Sequence, residues 1–283
     1  MFTLIAENKY GQQIELTHNE AYTIEDIEGL DPSDAVINTV HNAGDDGSVF
    51  NSSYVSNKTI TITLAVNGPA EENRTNLYRY FKTKQPVKLY YKNGLRDVSI
   101  EGHVKSMPIN FFAKKEVAQI VILCNDPFFK NVKNTEVDFS SIEGRFEFPF
   151  SVPVNDPIEF GVILLAQEKT VVNNGDVESG CTFILRARGE LSNPAIYDVD
   201  SGAFFKLDVN MSAGDEIRIE TEKSKKKVVE LVDGVETNII NKMVNGSTWL
   251  QLKSGDNILT TSAESGAENL LAYVILRDKY QGV

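Results

Sequence analysis

Histidine is nearly missing from this chain. Its three residues, His18, His41 and His103, are scattered over 283 positions. None stands at i, i+4 of a helix beside a carboxylate, the spacing that a helical metal site needs, so no metal centre is expected. No histidine follows His103, so a nucleophile in the later part would have to find its base in the earlier part. Cysteine is as scarce: Cys124 and Cys181 read as isolated, reduced and buried thiols, too few for a disulfide framework. The single tryptophan, Trp249, leaves little for the stacked platform that sugar sites favour. It is expected in the core. Positive charge is in deficit, with 28 basic against 40 acidic residues and a net charge of −12. That balance excludes a counterion-releasing nucleic-acid face, and "KSKKK" (Lys223 to Lys227) is too short to reverse it. No apolar run is long enough for a bilayer. The start, "MFTLIAENKYGQQ", has neither a basic n-region nor an apolar h-region, so export by a signal peptide is not expected.

What the chain has in abundance is period-two alternation. "NKTITITLAVNG" puts Ile60, Ile62, Leu64 and Val66 on one face and Thr59, Thr61 and Thr63 on the other, a half-buried strand. "QPVKLYYKNGLRDVSIEGHV" predicts two strands around a type I′ turn at Asn93–Gly94, and "EVAQIVILCND" another strand. One helix is expected over "PAEENRTNLYRYFKTK" (Pro69 to Lys84), with proline and acids at its start, lysines at its end, and Leu77, Tyr80 and Phe81 on the buried face. "NDPFFKNVKNTEVDFSS" breaks the pattern and places a boundary near residue 130. Beyond it the pattern predicts strands over Glu159 to Leu165, Lys169 to Asn173, Cys181 to Glu190, Ala195 to Asp198, Phe204 to Val209, Glu216 to Glu222, Lys227 to Leu231, Ser247 to Leu252 and Leu271 to Arg277. Short strands punctuated by "NNGD", "SAGD", "VDGVE" and "KSGDN" suggest an antiparallel sandwich.

The candidate chemistry is thin. "GDVESG" looks like a nucleophile loop around Ser179, but no base or orienting carboxylate accompanies it. "NNGD" precedes a strand, not a helix N-terminus, so it lacks the setting of a phosphate cradle. Glu216, Glu220 and Glu222 alternate along one strand face, an arrangement that arises by chance on a solvated sheet. Asp45, Asp46 and Gly47, within "DPSDAVINTVHNAGDDGSV", lack calcium-loop spacing, and that stretch reads as a solvated, mobile loop. No catalytic, metal-binding or cofactor-binding residue is assigned, and an enzyme is not expected.

The order of features along nearly the whole chain resembles the distal tail proteins of long-tailed phages with non-contractile tails, the siphovirus tail-component family. The resemblance lies in the "RTNLYRYF" helix, the hairpin after it, the closing "CNDPFFK", and then "VVNNGDVESGCTFILRARGELSNPAIYDVDSGAFFKLDV", "SAGDEIRIET", "KKVVELVDGVE" and "WLQLKSGDNIL". It implies a mainly β protein: an N-terminal ring-forming domain with one helix over residues 1–130, then a galectin-like antiparallel β-sandwich over 131–283. It implies a structural tail-tip or baseplate hub, a ring (usually a homo-hexamer) joining the tail tube to the tail tip. The implied partners are further copies of the chain, the major tail tube protein, a tail-tip or tail-associated lysin and, in some relatives, receptor-binding proteins. The implied location is the virion tail tip, after assembly in the host cytoplasm. Partners of nucleic acid or membrane are not expected. The ring contacts are expected on N-terminal strands including Thr59 to Val66 and the Tyr90 to His103 hairpin. A carbohydrate-binding adhesin module is the alternative.

Overall fold

The computed structural model describes residues 2–44, 46–111, 113–139, 141–143, 162–164 and 168–283. Two units divide it: Met1–Lys133 with Lys279–Val283, and Asn134–Asp278. The chain is mainly β, and its sheets are antiparallel throughout.

The first unit holds β1 (Thr3–Asn8), β2 (Gln13–Glu15), β3 (Tyr22–Glu28), β4 (Ala35–Val40), β5 (Val49–Val55), β6 (Lys58–Val66), α1 (Ala70–Tyr80), β7 (Pro86–Lys92), β8 (Asp97–Ser106), β9 (Glu116–Cys124) and β10 (Phe129–Asn131). The main sheet runs β2-β1-β7-β8-β9-β6-β3, with β10 also on β8. Ile60, Ile62 and Leu64 on β6 are fully buried, as the alternation predicts, but Thr61 and Ala65 of the opposite face are buried too. With β3 and β9 on either side, this strand has no free edge. Thr59 to Val66, expected among the ring strands, is thus a central strand that contributes to the unit's own core.

The helix stops at Tyr80, short of the expected Lys84, with Phe81 at its C-cap. Beyond it Lys84 takes a left-handed φ of 67°, and its amide donates to Val104 O at 2.9 Å while Gln85 O accepts from Val104 N at 3.1 Å. The end of β8 thus captures the residues that would have extended the helix. Leu77 and Phe81 are buried and Tyr80 packs against the same core. The β7–β8 hairpin forms, but through a four-residue loop rather than a type I′ turn, because β7 ends at Lys92 paired with Asp97. Neither Asn93 nor Gly94 has positive φ. Instead the Asn93 carboxamide oxygen accepts from the amides of Leu95 (2.9 Å) and Arg96 (2.8 Å), an Asx-type turn.

The second unit holds β11 (Thr135–Asp138), β12 (Ser141–Glu143), β13 (Val162–Leu164), β14 (Lys169–Asn173), β15 (Cys181–Ala187), β16 (Leu191–Ser192), β17 (Ala195–Asp198), β18 (Phe204–Lys206), β19 (Asn210–Met211), β20 (Glu216–Glu220), β21 (Lys227–Val232), β22 (Val235–Asn238), β23 (Gly255–Ser262) and β24 (Leu270–Leu276). A six-stranded sheet, β11-β24-β15-β20-β21-β22, and a four-stranded one, β14-β23-β17-β18, share one core. Phe183, Leu185, Ile217 and Val274 come from the first, and Val171, Ile196, Phe205 and Leu259 from the second. That is a β-sandwich. Of the strand expected over Glu159 to Leu165, Val162–Leu164 is a strand and the rest lies outside the described residues. Ser247 to Leu252 is not a strand; Leu252 makes only an isolated bridge with Ser179. The neighbouring "SGDN" stretch, expected as a corner, opens β23, an interior strand between β14 and β17.

The last five residues return to the first unit, whereas the sequence placed them in the C-terminal domain. There β25 (Lys279–Tyr280) pairs with β10. Lys58, buried, donates to the backbone oxygens of Asp31 (2.5 Å) and Gln281 (3.3 Å), and burial lowers its pKa against the opposing charge of Asp31. Arg96 donates to Gly282 O at 3.1 Å and lies 4.0 Å from the centre of the Tyr280 ring.

Candidate functional site

The side chains that first suggested chemistry have structural roles. His18 lines a groove in the first unit, His41 bonds Gly47 O through Nδ1 at 2.7 Å, and His103 is exposed on β8. They sit on separate elements. Among the described residues no group of three or more His, Cys, Asp or Glu could hold a metal. Cys124 and Cys181 are buried, and burial pushes both thiols up to about 12, far from the thiolate that reactivity needs. Ser179 is also buried, and its hydroxyl donates to Arg277 O at 3.0 Å. The "NNGDVESG" stretch is a tie between strands. Asn173 donates to Val177 O and Leu252 O, both at 3.0 Å, and accepts from Gly175 N at 2.9 Å, while Ser254 Oγ closes on Gly175 O at 2.5 Å.

Glu216 is clamped between Arg186 Nε (2.6 Å) and Arg218 Nε (2.5 Å) on β15 and β20. Burial alone would raise its carboxyl, but the hydrogen bonds and charges of the two arginines outweigh it and hold the pKa below the ordinary value. It is one arm of an ion triad, not half of a catalytic acid pair. Trp249 is half-buried, its ring centre 5.2 Å from that of Phe205 at 58°, with Lys226 Nζ 5.5 Å from the ring centre.

The surface that remains unexplained is β4 with β5. β4, which lies in the stretch Asp31 to Val49 expected as a mobile loop, instead forms with β5 a two-stranded antiparallel hairpin separate from the main sheet. Every residue of both is exposed. Ile37 is 63% exposed, Phe50 62%, Val49 58% and Tyr54 59%, values unusual for apolar side chains that lie together. Across the bulge at Asn38/Thr39 the register puts Ile37 and Phe50 on one face, with Val36, Val40, Val49 and Tyr54 on the other. Neither "AVINTV" nor "VFNSSYV" contains a charge or a proline, in a chain with 24% charged residues. Exposed strand edges ordinarily carry such residues to block pairing. The signal was present in the sequence as two short runs rich in β-branched and aromatic residues around "GDDG". Their Asn, Ser and Thr content masked it.

The same unit carries an open groove of about 820 Å³ along β3, the last strand of its sheet. Its lining combines apolar Phe2, Tyr22, Ile24, Ile27 and Leu30 with polar and acidic side chains including Glu20, Glu25 and Asp26. The β3–β6 register shifts at Glu25, so the free edge of β3 is broken by a bulge.

Two comparisons of the sequence with family models agree with this architecture. Residues 9–124 match the phage tail protein RIFT-related domain, and residues 174–274 match the siphovirus-type tail component, C-terminal domain. No curated protein matches the chain. Among solved structures it is similar to the SPP1 Dit (gp 19.1) protein, described as a paradigm of the hub adsorption apparatus in phages infecting Gram-positive bacteria. That likeness has a TM-score of 0.71 at 13% identity and covers 99% of each chain. It is also similar to a chain of the phage P2 baseplate in its activated conformation with Ca, at TM-score 0.55, 10% identity and full coverage of both. Both matched domains, with the fold, thus define a structural component of a phage tail. The chain belongs to the siphovirus-type tail component family, as a siphophage distal tail protein.

Proposed function

We propose that this chain is the structural hub of a siphophage tail tip: a homo-oligomeric ring, hexameric as the family resemblance implies, joining the end of the tail tube to the tail-tip and receptor-binding apparatus. The observation that carries the reading is the uncovered, charge-free β4–β5 hairpin on the unit that the family places in the ring. An isolated two-stranded hairpin is at best marginally stable in water, and a surface depleted of charge resembles the centre of an interface. The partners are further copies of the chain, the tube protein on one side and tail-tip or receptor-binding proteins on the other, after assembly in the host cytoplasm. The protein works by subunit contacts and catalyses no reaction, in keeping with the structural roles of Ser179, Cys181 and Glu216 described above. Light scattering coupled to size exclusion, with electron microscopy of the same fractions, tests the ring. Sixfold rings are expected at micromolar concentration, and a strict monomer at every concentration and salt would sink the reading.

A further inference from the structure

The chain leaves the first unit at Lys133, builds the whole second unit, and returns to the first only at Lys279. Domains ordinarily fold as units in the order of their synthesis. Here the first unit waits for residues that are made after the second. We propose that Lys279–Val283 is a latch that closes the first unit last, so that a chain can join other copies only once its second unit has been made. The consequence for assembly rests on the ring reading; the latch itself does not.

Four parts of the first unit hold this segment. At its start β25 pairs with β10, Phe129 opposite Tyr280 and Lys130 opposite Lys279. β10 is only three residues long and meets β8 through Lys130 and Asn131, so without β25 it keeps half of its ladder. From β6, Lys58 donates to Gln281 O. That lysine is 3% exposed, and a buried ammonium that loses an acceptor carries an uncompensated desolvation cost. From the loop before β8, Arg96 donates to Gly282 O and covers the Tyr280 ring. At the end of the segment the Val283 amide donates to Leu30 O at 3.1 Å, and a Cβ on Gly282 would lie 3.0 Å from the same oxygen. Tyr280 and Val283 pack against the core of the first unit. Asp278, one residue earlier, belongs to the second unit, where its carboxylate accepts from Asn174 N at 3.2 Å. Leu30 and Asp31, which the latch holds directly and through Lys58, lead into β4. The segment therefore ties β10, β6, the β7–β8 loop and the root of the exposed hairpin together, which is what makes the first unit whole.

The test compares the full-length chain with one ended after Asp278. Trp249, the only tryptophan, lies against Phe205 of the second unit's core, so its emission reports that unit, while amide exchange on β6 and β8 reports the first. In the shortened chain the Trp249 denaturant midpoint is expected to match the parent, and exchange on β6 and β8 to quicken by about tenfold or more. Co-expressed with a differently tagged full-length chain, the shortened chain is expected to be left out of the captured oligomers. Should it not stay in solution, full-length Lys58→Met decides in its place. That variant removes one anchor, and exchange on β25 should quicken about threefold or more with the Trp249 midpoint unchanged; exchange at the parent's rate overturns the latch. Parent-like exchange on β6 and β8 in the shortened chain overturns it too, as does its capture at the parent's level. A Trp249 midpoint that falls in step also overturns it, because the segment would then serve both units. A full-length chain that is monomeric throughout overturns the ring reading, and the exchange measurements still decide the latch.

Discussion

Strand β15 and the hairpin strand β5 are both seven residues long, yet their fates are opposite. On β15, Cys181, Phe183, Leu185 and Ala187 are all buried beneath the second sheet. On β5, Phe50 and Tyr54 stand in solvent. β5 carries Asn51, Ser52 and Ser53 and no charge, whereas β15 carries Arg186, but neither difference decides burial. What separates them is a second layer: the sandwich closes over its own apolar face, whereas every residue of β4 and β5 in the first unit is exposed among the described residues.

The largest effect that would sharpen this contrast is in the sandwich core. Phe183→Ala should cost about 3–5 kcal/mol, the range for a buried aromatic truncated to alanine. Trp249, the only tryptophan, lies against Phe205 of that core, so its fluorescence follows the second unit alone. A denaturant midpoint by tryptophan emission that fails to fall would mean that this core is not the closed layer described.

Much of this core was legible in the sequence, because alternation with β-branched and aromatic residues reports a face directly. Lys169–Asn173 and Ala195–Asp198 coincide with their expected spans. The failures have a common cause. In β23 the buried positions include Asn257 and Thr261. Asn257 is satisfied by donating to Lys253 O at 2.9 Å and Gly255 O at 3.0 Å, so a polar residue occupies a site where the pattern demands an apolar one. Ser247 to Leu252 made the opposite error, since Leu250 and Leu252 are buried from an irregular segment. The return of the last five residues depends on Lys58 and Arg96 reaching backbone carbonyls, a signal that no local pattern carries. The hairpin was hidden because an interface strand need not show a polar face.

A smaller effect tests how tightly the sandwich is closed. At Gly180 an added Cβ would come 2.4 Å from Glu222 Cα, and backbone cannot yield as a flexible side-chain end can. Gly180→Ala should destabilise the second unit by about 1–3 kcal/mol through overpacking, read again by Trp249 emission. Unchanged stability would show that β15 and the segment after β20 are looser than drawn.

Smaller still is the Arg186–Glu216–Arg218 triad. The folded carboxyl titrates below its ordinary value. Its contribution is therefore present above the unfolded pKa and is lost as pH falls through the lowered folded pKa. Both arginines are about half exposed, so solvent screening limits the contribution to roughly 0.5–1 kcal/mol. Glu216→Gln should remove this share at neutral pH and flatten the acid limb of the stability curve below about pH 4.5. An acid limb identical to the parent's would rule out the triad as its source.

The smallest expected effect sits on the other side of the comparison. Below the concentration at which the chain assembles, Ile37→Lys with Phe50→Lys should change the stability of the first unit by no more than about 0.5 kcal/mol, the usual range for substitutions at exposed positions. The reasoning runs from exposure: side chains that touch little in their own chain have little to lose there, and lysine at an exposed strand position is well tolerated. Ile62→Ala on β6 supplies the contrast within the same unit. It removes a fully buried side chain and should cost about 2–5 kcal/mol. Hydrogen exchange on the monomer reads both variants, through protection of β6 and β9. If the lysine pair lowers that protection as far as Ile62→Ala does, the hairpin is held by its own chain, and the contrast between a closed sandwich and an exposed hairpin fails.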